Sequence, residues 1–559
     1  MKNRKIAKSK LFKVQHSTST QSNKLNKRKL TRNVKVFLFL GIFIYRLLNS
    51  YLTKSYFIAD EYWQSYEIAF EYTYGYGYLT WEWAYQLRSF FYPWLLVIQF
   101  KLINLLNWNQ QWLLVLPKVT QSLLAAMGDY YVILLSIKLF GINSSLWALL
   151  ITLTNWFNLY LSCRLIPNNI EGILTIIALY YWPMLSFNEK KKYTYELSLS
   201  LAGLTCLIRP TSVILWLCLG CHLLFNRPNY LSFKRISIST IVIVLFYIIV
   251  MLLIDYCYYQ QLTFIPYNFY KFNIEHKIAN HYGVNQWYFY LLLGLPGLCG
   301  PFIYFLYYLR KSLFNFNEKL LLSCILLVII QYSLVSHKEL RFIYQIHYIM
   351  LIFLIKGIMN FMRDTTEIIT SINNKKQLII LLTITNFLIV VYLNLYHQVG
   401  VINIMTYLRN NITTINSIGF LMPCHSTPYY STLMATIPMW FITCNPPLTK
   451  SELINYHLTG IHEDISDVFY QDPYKFIINN FQDEIDLIQT KSYPKTNSTQ
   501  EFTYFWPSHL VLFEALLIEN PKVKELILKK DYHLCYSTFN SLWHDDHRRN
   551  GKVILYCRK

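Results

Sequence analysis

Charged side chains are scarce in this sequence. They make up 14% of the 559 residues, and apolar side chains make up 54%, whereas a soluble domain typically carries about 25% charge. The apolar residues also fall in blocks of membrane length rather than in amphipathic stripes, which excludes an ordinary soluble protein and predicts a polytopic membrane protein. The aromatic content of 17%, mostly Tyr and Phe, suits a chain with many lipid–water interfaces.

Acidic residues are absent before Asp60, although residues 1–35 contain twelve Lys and Arg. Ser, Thr, Gln and Asn lie between these basic residues, a composition typical of a disordered tail. Because the tail adjoins an apolar span at roughly Val36–Thr53, the positive-inside rule predicts a cytosolic tail and places Asp60 on the lumenal face. This interpretation accounts for the net charge of +21 without nucleic acid, and the tail is too long for a cleaved signal peptide.

Ten further apolar blocks lie between residues 90 and 397, which at ~20 residues per span predict roughly nine to twelve membrane crossings. The block at 196–226 is interrupted by Arg209 and Pro210. Since Pro lacks a backbone donor and disfavours helix in the residue before it, either two short segments meet there at a lumenal turn or a single span is kinked. A charged residue at this depth usually faces a cavity, so Arg209 is a candidate substrate-binding residue.

The composition changes near residue 398, where turn clusters, short apolar runs and most of the remaining acids replace the long apolar blocks. We therefore predict three parts in the chain. They are a disordered basic cytosolic tail at 1–35, a multi-span membrane domain at 36–398 and a lumenal domain at 399–559. A domain of ~160 residues is near the usual domain size.

Four of the eleven cysteines lie in this C-terminal part. They could form two disulfides in an oxidising lumen, with three possible pairings. None has the spacing of zinc ligands, so no metal site is expected. The four are Cys424, Cys444, Cys535 and Cys557. The sequons at Asn411 and Asn497 are also compatible with lumenal exposure.

The acid pair Asp60-Glu61 opens a loop at about 54–90 that is dense in Tyr and Trp. Glycosyl transfer to a sugar hydroxyl needs a carboxylate that accepts the proton as the hydroxyl attacks. Adjacent carboxylates repel, and partial burial would raise the pKa of one of them toward a useful range. The alternative is that the two acids cap or solvate a helix of the loop. Both are candidate catalytic residues, and the sequence does not separate them.

A second charged cluster, SHKELRF at 336–342, lies at the junction of two apolar blocks. Three charged groups and a His are costly beside the hydrocarbon unless they pair with one another or hold an anion. Lys338 and Arg341 could bind a lipid phosphate, Arg341 through two parallel hydrogen bonds. The alternative is a short connecting turn whose long side chains reach the water.

Several of these motifs resemble the family 22 glycosyltransferases, multi-spanning mannosyltransferases of the GT-C fold in the endoplasmic reticulum. The MPCHSTPYYS run is the most specific match, because it lies outside the motifs shared across the wider family, and it points to members that act on GPI precursors. The matching motifs are DEYWQ (60–64), YGYGYLTWEW (74–83), LRS (87–89), RPTS (209–212), DYCYY (255–259), LTFIPYNFYKFN (262–273), HKELRF (337–342), FLMPCHSTPYYS (420–431), CNPP (444–447), DVFY (467–470) and PSHL (507–510).

The resemblance implies a mostly α-helical membrane enzyme with a C-terminal lumenal domain. It implies transfer of the third mannose, in α-1,2 linkage, from dolichyl-phosphate mannose to a two-mannose GPI precursor in the lumen of the endoplasmic reticulum. The donor is β-linked and the product is α-linked, so the transfer inverts and needs one base. No cofactor and no metal is implied beyond the donor substrate. Asp60 is preferred to Glu61 as this base.

By the same resemblance, His337, Lys338 and Arg341 are assigned to the donor phosphate. Three residues of the first loop are further candidates for substrate binding: Trp81, Glu82 and Arg88. The Trp ring could stack on a sugar and the Glu carboxylate could bond its hydroxyls. Trp is also common at membrane interfaces. The Arg could contact an acceptor phosphate or a lipid head group.

Two departures from the family pattern leave the candidate catalytic groups in place. Ala59 stands where the family commonly has a Pro, which would stiffen the approach to the acid pair, and Leu340 stands where a second acid is common. Asp129 and Asp255 lie in or beside spans, where acids tend to be functional, and Asp129 has no assigned partner. His425 is interpreted as a structural residue of the C-terminal domain.

Other functions stay open. The nearest alternatives are other family 22 mannosyltransferases, which add the fourth GPI mannose or act on an N-glycan precursor, and the MPCHSTPYYS run argues against both. A membrane transporter that uses the buried charges as an ion path belongs to a different class. A transporter should show paired broken helices in an inverted repeat, and one candidate broken helix is visible, at Arg209-Pro210.

Overall fold

The structure of the protein, a computed structural model, describes the chain with short gaps. The predicted tail up to residue 29 and the sequon at Asn497 lie outside the described residues. The described ranges are 30–185, 193–310, 312–364, 371–483 and 504–558.

Helices make up most of the described chain. In chain order they are α1 (Arg32–Leu52), α2 (Glu67–Tyr74), α3 (Trp81–Ala84), α4 (Phe91–Leu105), α5 (Trp112–Phe140), α6 (Ser145–Thr154), α7 (Trp156–Leu161), α8 (Pro167–Tyr181), α9 (Thr194–Ile208), α10 (Val213–Phe225), α11 (Phe233–Tyr259), α12 (Ile265–Tyr270), α13 (Leu295–Cys299), α14 (Phe316–Ser333), α15 (His347–Arg363), α16 (Ile372–Leu395), α17 (Gly400–Asn410), α18 (Tyr430–Leu433), α19 (Lys450–Thr459), α20 (Ile465–Gln471), α21 (Pro473–Asn480), α22 (Glu514–Glu519) and α23 (Pro521–Lys529).

Seven helical segments of the described chain are long and apolar enough to cross a membrane. They are Arg32–Leu52, Trp112–Phe140, Phe233–Tyr259, Tyr290–Leu309, Phe316–Ser333, Leu340–Arg363 and Ile372–Asn410. Shorter apolar helices accompany them at Phe91–Leu105, Ile142–Thr154, Thr194–Ile208 and Pro210–Phe225. The predicted polytopic, mostly helical architecture is therefore confirmed, and the number of crossings stays a prediction.

The segment Leu340–Arg363 lies at the centre of the helical bundle. In its most apolar stretch 89% of the residues are buried, whereas in Phe233–Tyr259 the share is 11%. Such a contrast separates a helix surrounded by protein from one whose apolar side chains face outward, as they would toward lipid. The second charged cluster, at 336–342, leads into the start of this central segment.

The chain breaks at Arg209, as the sequence predicts. Helix α9 ends at Ile208, a 3₁₀ turn covers Pro210–Ser212, and α10 begins at Val213. The Tyr332 hydroxyl and the Gln331 amide of α14 hold the turn through hydrogen bonds of 2.9 and 3.0 Å to Thr211. Of the two alternatives, the structure has two separate helices that meet at a turn rather than one kinked span.

The C-terminal domain is built on a five-stranded sheet with the order β2-β1-β3-β5-β4. Strands β1 and β2 are parallel, as are β1 and β3, while β3 pairs with β5 and β5 with β4 in antiparallel fashion. The register aligns Ile418 with Met439 and with His509, and Val511 with Leu555. The strands are β1 (Ile418–Leu421), β2 (Met439–Phe441), β3 (His509–Phe513), β4 (Tyr532–Ser541) and β5 (Gly551–Arg558).

The two faces of this sheet bury different partners, because side chains alternate along a strand. Leu510 and Leu512 of β3 join a cluster with the helices of the C-terminal domain. Val511 and Phe513 join a second cluster that includes Trp63 and other aromatic residues of the first loop. The C-terminal domain therefore packs directly on the loop that carries the acid pair.

Two disulfides select one of the three predicted pairings. Cys424 is joined to Cys444, and Cys535 to Cys557. The first links the segments that follow β1 and β2, and the second links the neighbouring strands β4 and β5. The remaining cysteines in the described residues are free thiols, which agrees with their apolar surroundings.

Candidate active site

The acid pair begins the first helical segment of the loop at 54–90. Asp60 and Glu61 start it, and the next five residues, Tyr62–Tyr66, form a π-helix that continues into α2. Successive residues on a helix point about 100° apart, so the two carboxylates face different surroundings. Short π-helical turns occur frequently at functional sites.

Arg341 joins Asp60 to the second charged cluster. Arg341 Nη1 donates to Asp60 Oδ2, and its Nε and Nη2 donate to the two oxygens of Glu339 at 2.7 and 2.9 Å. His337 Nε2 lies 3.1 Å from Glu339 Oε1. Asp60 and Arg341 are 281 residues apart in the sequence. The fold thus brings both predicted charged motifs into one site.

The charges of this network are mutually stabilised. Burial raises the pKa of Glu339, but Arg341 and the hydrogen bond from His337 outweigh burial and hold that pKa well below its usual range. Burial lowers the pKa of His337, but the hydrogen bonds to Glu339 and to the Gly283 carbonyl outweigh burial and raise that pKa above its ordinary value of 6.5. Both shifts favour the charged forms of the two side chains near neutral pH.

Glu61 has a separate and more deeply buried partner. Arg164 Nη1 donates to Glu61 Oε2 at 3.1 Å, and the two side chains are 1% and 8% exposed. Arg164 also donates to the Ser55 carbonyl and hydroxyl, both at 2.7 Å, and to the Tyr160 carbonyl at 2.9 Å. This geometry fits a scaffold contact that holds the start of the loop against the membrane domain.

Glu82 and Arg88 meet on the same loop. Arg88 Nη2 donates to Glu82 Oε1 at 2.8 Å, and Gln64 Nε2 donates to Glu82 Oε2 at 3.1 Å. Gln64 lies one helical turn after Asp60, so Glu82 and Arg88 are placed near the acid pair. The Arg88 carbonyl accepts a hydrogen bond of 2.8 Å from the Tyr259 hydroxyl, which holds the loop against α11.

Trp81 lies in an aromatic stack. Its ring is 5.1 Å from the ring of Phe272 and 6.3 Å from that of Tyr282, both nearly parallel to it. Burial raises the pKa of Tyr282, and the nearby carboxylates of Glu82 and Asp60 raise it further. The ring of Tyr282 is also 6.4 Å from that of His337, so Tyr282 is a site residue that the sequence did not single out.

Lys338 is held by its own loop. Its Nζ donates to the carbonyls of Asn285, Val335 and Ser336 at 2.8, 2.5 and 3.4 Å, and only 4% of the residue is exposed. These bonds tie the segment around Asn285 to the segment that carries His337. The predicted contact of Lys338 with a donor phosphate stays a prediction.

Arg209 lies close to the same network. Its Nη1 donates to Glu171 at 3.0 Å, and Ser212 also donates to Glu171. The guanidinium carbons of Arg209 and Arg341 lie 5.8 and 5.6 Å from the ring centroid of Phe342. Both guanidinium groups thus lie near the same ring, and Arg209 belongs to the edge of the site.

The two membrane aspartates have local partners. Asp129 is 2.5 Å from Arg46 Nε and accepts a hydrogen bond of 2.9 Å from Asn158, all inside the bundle. Asp255 accepts from the Ser89 hydroxyl at 2.9 Å and from the Phe90 amide at 2.8 Å. Asp129 therefore joins α1 to α5, and Asp255 fixes the loop that carries Arg88.

Glu67 is the most informative residue that sequence reasoning missed. It is fully buried and accepts hydrogen bonds from the Tyr429 amide at 2.8 Å, the Ser431 amide at 3.0 Å and the Ser431 hydroxyl at 2.6 Å. Burial raises its pKa to about 7 despite these bonds. Tyr429 and Ser431 belong to the MPCHSTPYYS run, so this motif attaches the C-terminal domain to the loop of the acid pair. The signal available in the sequence was a further acidic residue in the same loop, seven positions after Asp60.

His425 lies beside this attachment. Its ring is 4.4 Å from the ring of Trp63, its carbonyl accepts from the Tyr56 hydroxyl at 2.7 Å, and burial lowers its pKa to about 4. The neighbouring cysteine, Cys424, is engaged in the disulfide to Cys444. These contacts agree with the structural interpretation of His425.

A family model described as the Alg9-like mannosyltransferase family matches residues 37–434. The match covers most of the chain and contains both Asp60 and Arg341. The chain therefore belongs to the Alg9-like mannosyltransferase family, and the family predicted from the motifs is confirmed.

Curated relatives match nearly the whole chain. It is 34% identical over 535 residues to GPI mannosyltransferase 3 of Yarrowia lipolytica, a match that covers 94% of this chain and 98% of the relative. It is 31% identical over 562 residues to GPI alpha-1,2-mannosyltransferase 3 of Homo sapiens, with 97% and 90% covered. The similarity therefore continues beyond residue 434 into the C-terminal domain.

Among solved structures, ArnT of Cupriavidus metallidurans bound to undecaprenyl phosphate aligns with a TM-score of 0.51. The alignment covers 94% of this chain and 98% of ArnT, at 10% sequence identity. At this identity the likeness concerns the fold alone, and it confirms the predicted GT-C fold.

Proposed function

We propose that this protein transfers the third mannose, in α-1,2 linkage, from dolichyl-phosphate mannose to a two-mannose GPI precursor. The contact between Asp60 and Arg341 carries the proposal, because it brings a candidate base and a phosphate-binding side chain together. The names of the relatives support the acceptor, the position of the mannose and the linkage. ArnT, which shares the fold, was solved with undecaprenyl phosphate, a polyprenyl phosphate like the dolichyl phosphate that leaves in the proposed reaction.

In the proposed reaction, the 2-hydroxyl of the second mannose attacks the anomeric carbon of the donor mannose. The bond between that carbon and the phosphate oxygen breaks, and dolichyl phosphate leaves with the electron pair. Asp60 accepts the proton of the attacking hydroxyl. Arg341 and His337 donate hydrogen bonds to the leaving phosphate, where negative charge develops. Inversion in a single displacement needs one base, and we include no metal and no cofactor.

Asp60 is our choice for the base over Glu61. The Asp60 side chain is 19% exposed and that of Glu61 is 8% exposed, and a general base must reach the substrate hydroxyl. Arg341, the partner of Asp60, keeps two hydrogen bonds to Glu339, so it remains anchored when Asp60 turns to the substrate. Glu61 has no such freedom, because its partner Arg164 is fixed at several backbone and side-chain oxygens.

The remaining site residues are proposed to bind the acceptor and to shape the site. Trp81 offers a ring for stacking on a sugar, and Glu82 and Arg88 offer an acceptor and donors for its hydroxyls or phosphate. Arg209 extends the positive charge beside Phe342. Lys338 acts through the loop that it holds in place.

We further propose that the site faces the lumen of the endoplasmic reticulum. The basic residues before α1 favour a cytosolic start of the chain. Two disulfides in the C-terminal domain favour an oxidising compartment on the other side of the membrane. This domain packs on the loop of Asp60, so the disulfides and the acid pair share one side.

The test is a transfer assay in microsomes from cells that lack their own third GPI mannosyltransferase. With labelled dolichyl-phosphate mannose, the wild type should convert a two-mannose GPI lipid to a three-mannose product, with or without a chelator. Asp60→Asn should lower the rate by about 10²–10⁴-fold, the usual contribution of a general base. Transfer to an N-glycan precursor alone would refute the GPI acceptor, and full activity of Asp60→Asn would refute the base.

A further inference from the structure

A polar cavity of about 220 Å³ lies behind Glu61. The end of α1 and the residues after it, the second turn of α5 and the first turns of α17 form its walls. Neither Asp60 nor Arg341 lines it, so the proposed mannosyl transfer does not use it. The buried pair Arg46–Asp129 joins α1 to α5, which places the cavity where these two long helices end, at one surface of the membrane domain.

Two lysines, Lys54 and Lys118, line the cavity. Among the described residues, neither ammonium has a hydrogen bond to an oxygen or a carboxylate within 4 Å. The Lys54 ammonium is 5.8 Å from the ring of Tyr51. Glu61 lines the cavity together with the two lysines, and its carboxylate is already bonded to Arg164.

The charges around the cavity therefore do not balance. Glu61 and Arg164 neutralise each other at 3.1 Å, which leaves Lys54 and Lys118 as an excess of positive charge. Lys118 is partly buried, and a cation held away from bulk water without a counter-charge costs free energy. Lys54 is exposed, so it adds positive charge to the cavity without that cost. An anion in the cavity would remove that cost and would accept hydrogen bonds from both ammonium groups.

Neutral hydrogen-bond donors also line the cavity. Ser50 and Tyr62 line the cavity, and their hydroxyl groups have no hydrogen-bond partner within the described parts of the chain. Asn403 uses one N–H on Thr538, at 3.3 Å, and keeps the other. A tetrahedral anion with several oxygens matches two ammonium groups, two hydroxyls and an amide better than a planar carboxylate does.

We propose that this cavity binds a phosphate group of a lipid head group at the membrane surface. Its volume is below the 300–1,000 Å³ typical of sites for a whole drug-sized ligand, so it suits the phosphate and its immediate neighbours. The phosphate comes either from the acceptor lipid or from a phospholipid of the membrane. The acceptor alternative rests on the proposed function, and the phosphate site itself does not.

The first experiment measures binding without catalysis. Protein carrying Asp60→Asn is purified in a detergent without phosphate groups, phosphatidylinositol is added, and the retained lipid is counted by native mass spectrometry. The wild-type cavity should retain phosphatidylinositol, and Lys118→Gln and Lys54→Gln should each weaken retention by about tenfold or more, the loss expected for one charge-assisted hydrogen bond. Lys118→Arg should keep most of it.

Lys101→Gln is the matched control, because Lys101 is an exposed lysine on the neighbouring helix α4, beside Tyr72. It should leave retention unchanged. Competition by inorganic phosphate should release the lipid from the wild type and not alter the Lys118→Gln protein. Equal retention by the wild type and both cavity variants, at unchanged melting temperature, would overturn the proposal.

The second experiment identifies the source of the phosphate. A higher KM for the acceptor in Lys118→Gln, at unchanged kcat and unchanged KM for the donor, assigns the site to the acceptor. Unchanged kinetics together with lost retention assigns it to a membrane phospholipid. If the wild type transfers no mannose to a GPI lipid, the proposed function fails, while the binding result still decides the phosphate site.

Discussion

At the scale of single residues, the two adjacent carboxylates differ in role because each pairs with a different arginine. Asp60 meets Arg341, whose other nitrogens stay on Glu339. Glu61 meets Arg164, which is buried and fixed at Ser55 and Tyr160. Asp60 is partly exposed and its arginine also binds Glu339, which suits a role in proton transfer. Glu61 is buried in an ion pair with a fixed arginine, which suits a structural role.

This division predicts opposite phenotypes for two neutralising substitutions. Arg164→Gln leaves Glu61 buried without its partner, and such a loss typically costs about 3–5 kcal/mol, so the melting temperature and the yield of folded protein should fall. Asp60→Asn removes a partner from Arg341, which keeps Glu339, so the melting temperature should change little while transfer activity is lost. Thermal melting in detergent and the microsomal assay measure the two effects.

The double variant Glu61→Gln with Arg164→Gln is the control for that comparison. It removes the orphaned charge, so it should be more stable than Arg164→Gln alone. If Arg164→Gln melts like the wild type, the pair does not hold the loop. If Glu61→Gln loses activity at unchanged stability while Asp60→Asn stays active, Glu61 is the base.

At the scale of secondary structure, one buried acid fastens a helix of the first loop to a loop of the C-terminal domain. Glu67 begins α2 and accepts hydrogen bonds from Tyr429 and Ser431 just before and within α18. Helix α2 then ends at Gly75, whose φ of +77° is the left-handed conformation that glycine adopts without strain. The helical segment that starts with the acid pair is thus held at its beginning by Arg164 and, from Glu67 onward, by the C-terminal domain.

The raised pKa of Glu67 predicts a pH dependence of stability. Burial moves the pKa from 4.5 to about 7, so the folded state binds the proton more tightly than the unfolded state. The resulting stabilisation is present below pH 4.5 and is lost as the pH rises through about 7, with a magnitude on the order of 3 kcal/mol. Glu67→Gln keeps an acceptor for the amides and should remove this dependence.

Melting temperatures of the purified protein between about pH 5 and pH 8 test this expectation. The wild type should lose stability toward the upper end relative to Glu67→Gln. Glu525→Gln, which neutralises an exposed acid on α23, should follow the wild type. Parallel curves for the wild type and Glu67→Gln would contradict the assignment.

At the scale of the whole molecule, the arrangement of the domains predicts the side of the membrane on which the site lies. The C-terminal domain, with its disulfides, packs on the loop of Asp60, and Asn411 at the end of α17 is exposed. A cysteine introduced as Asn411→Cys should react with a membrane-impermeant thiol reagent only after microsomes are opened. The wild type supplies the background of its free thiols.

A cysteine at the other end of the first span is the matched probe. Lys35→Cys lies in the first turn of α1, on the predicted cytosolic side, and should react in sealed microsomes. Labelling of Asn411→Cys in sealed microsomes, with Lys35→Cys protected, would reverse the topology and place the acid pair in the cytosol.

The sequence by itself determined the class of the protein, because burial in lipid imposes a composition that no soluble fold needs. Apolar blocks, the basic tail and the acid pair after the first span follow from local physical chemistry. The two charged motifs were visible for the same reason: charges beside hydrocarbon are costly and mark a site or a pairing. The resemblance then identified the family from motifs spread over most of the chain.

Only the tertiary structure decided which charges meet. Asp60 and Arg341 are separated by 281 residues, and no local pattern links them or assigns Glu61 to Arg164. The role of Glu67 was equally hidden, since its partners lie in a different domain and donate mainly through backbone amides, which leave no trace in side-chain chemistry. Pairing energies between distant charges depend on distance and burial, and these two quantities exist only once the chain has folded.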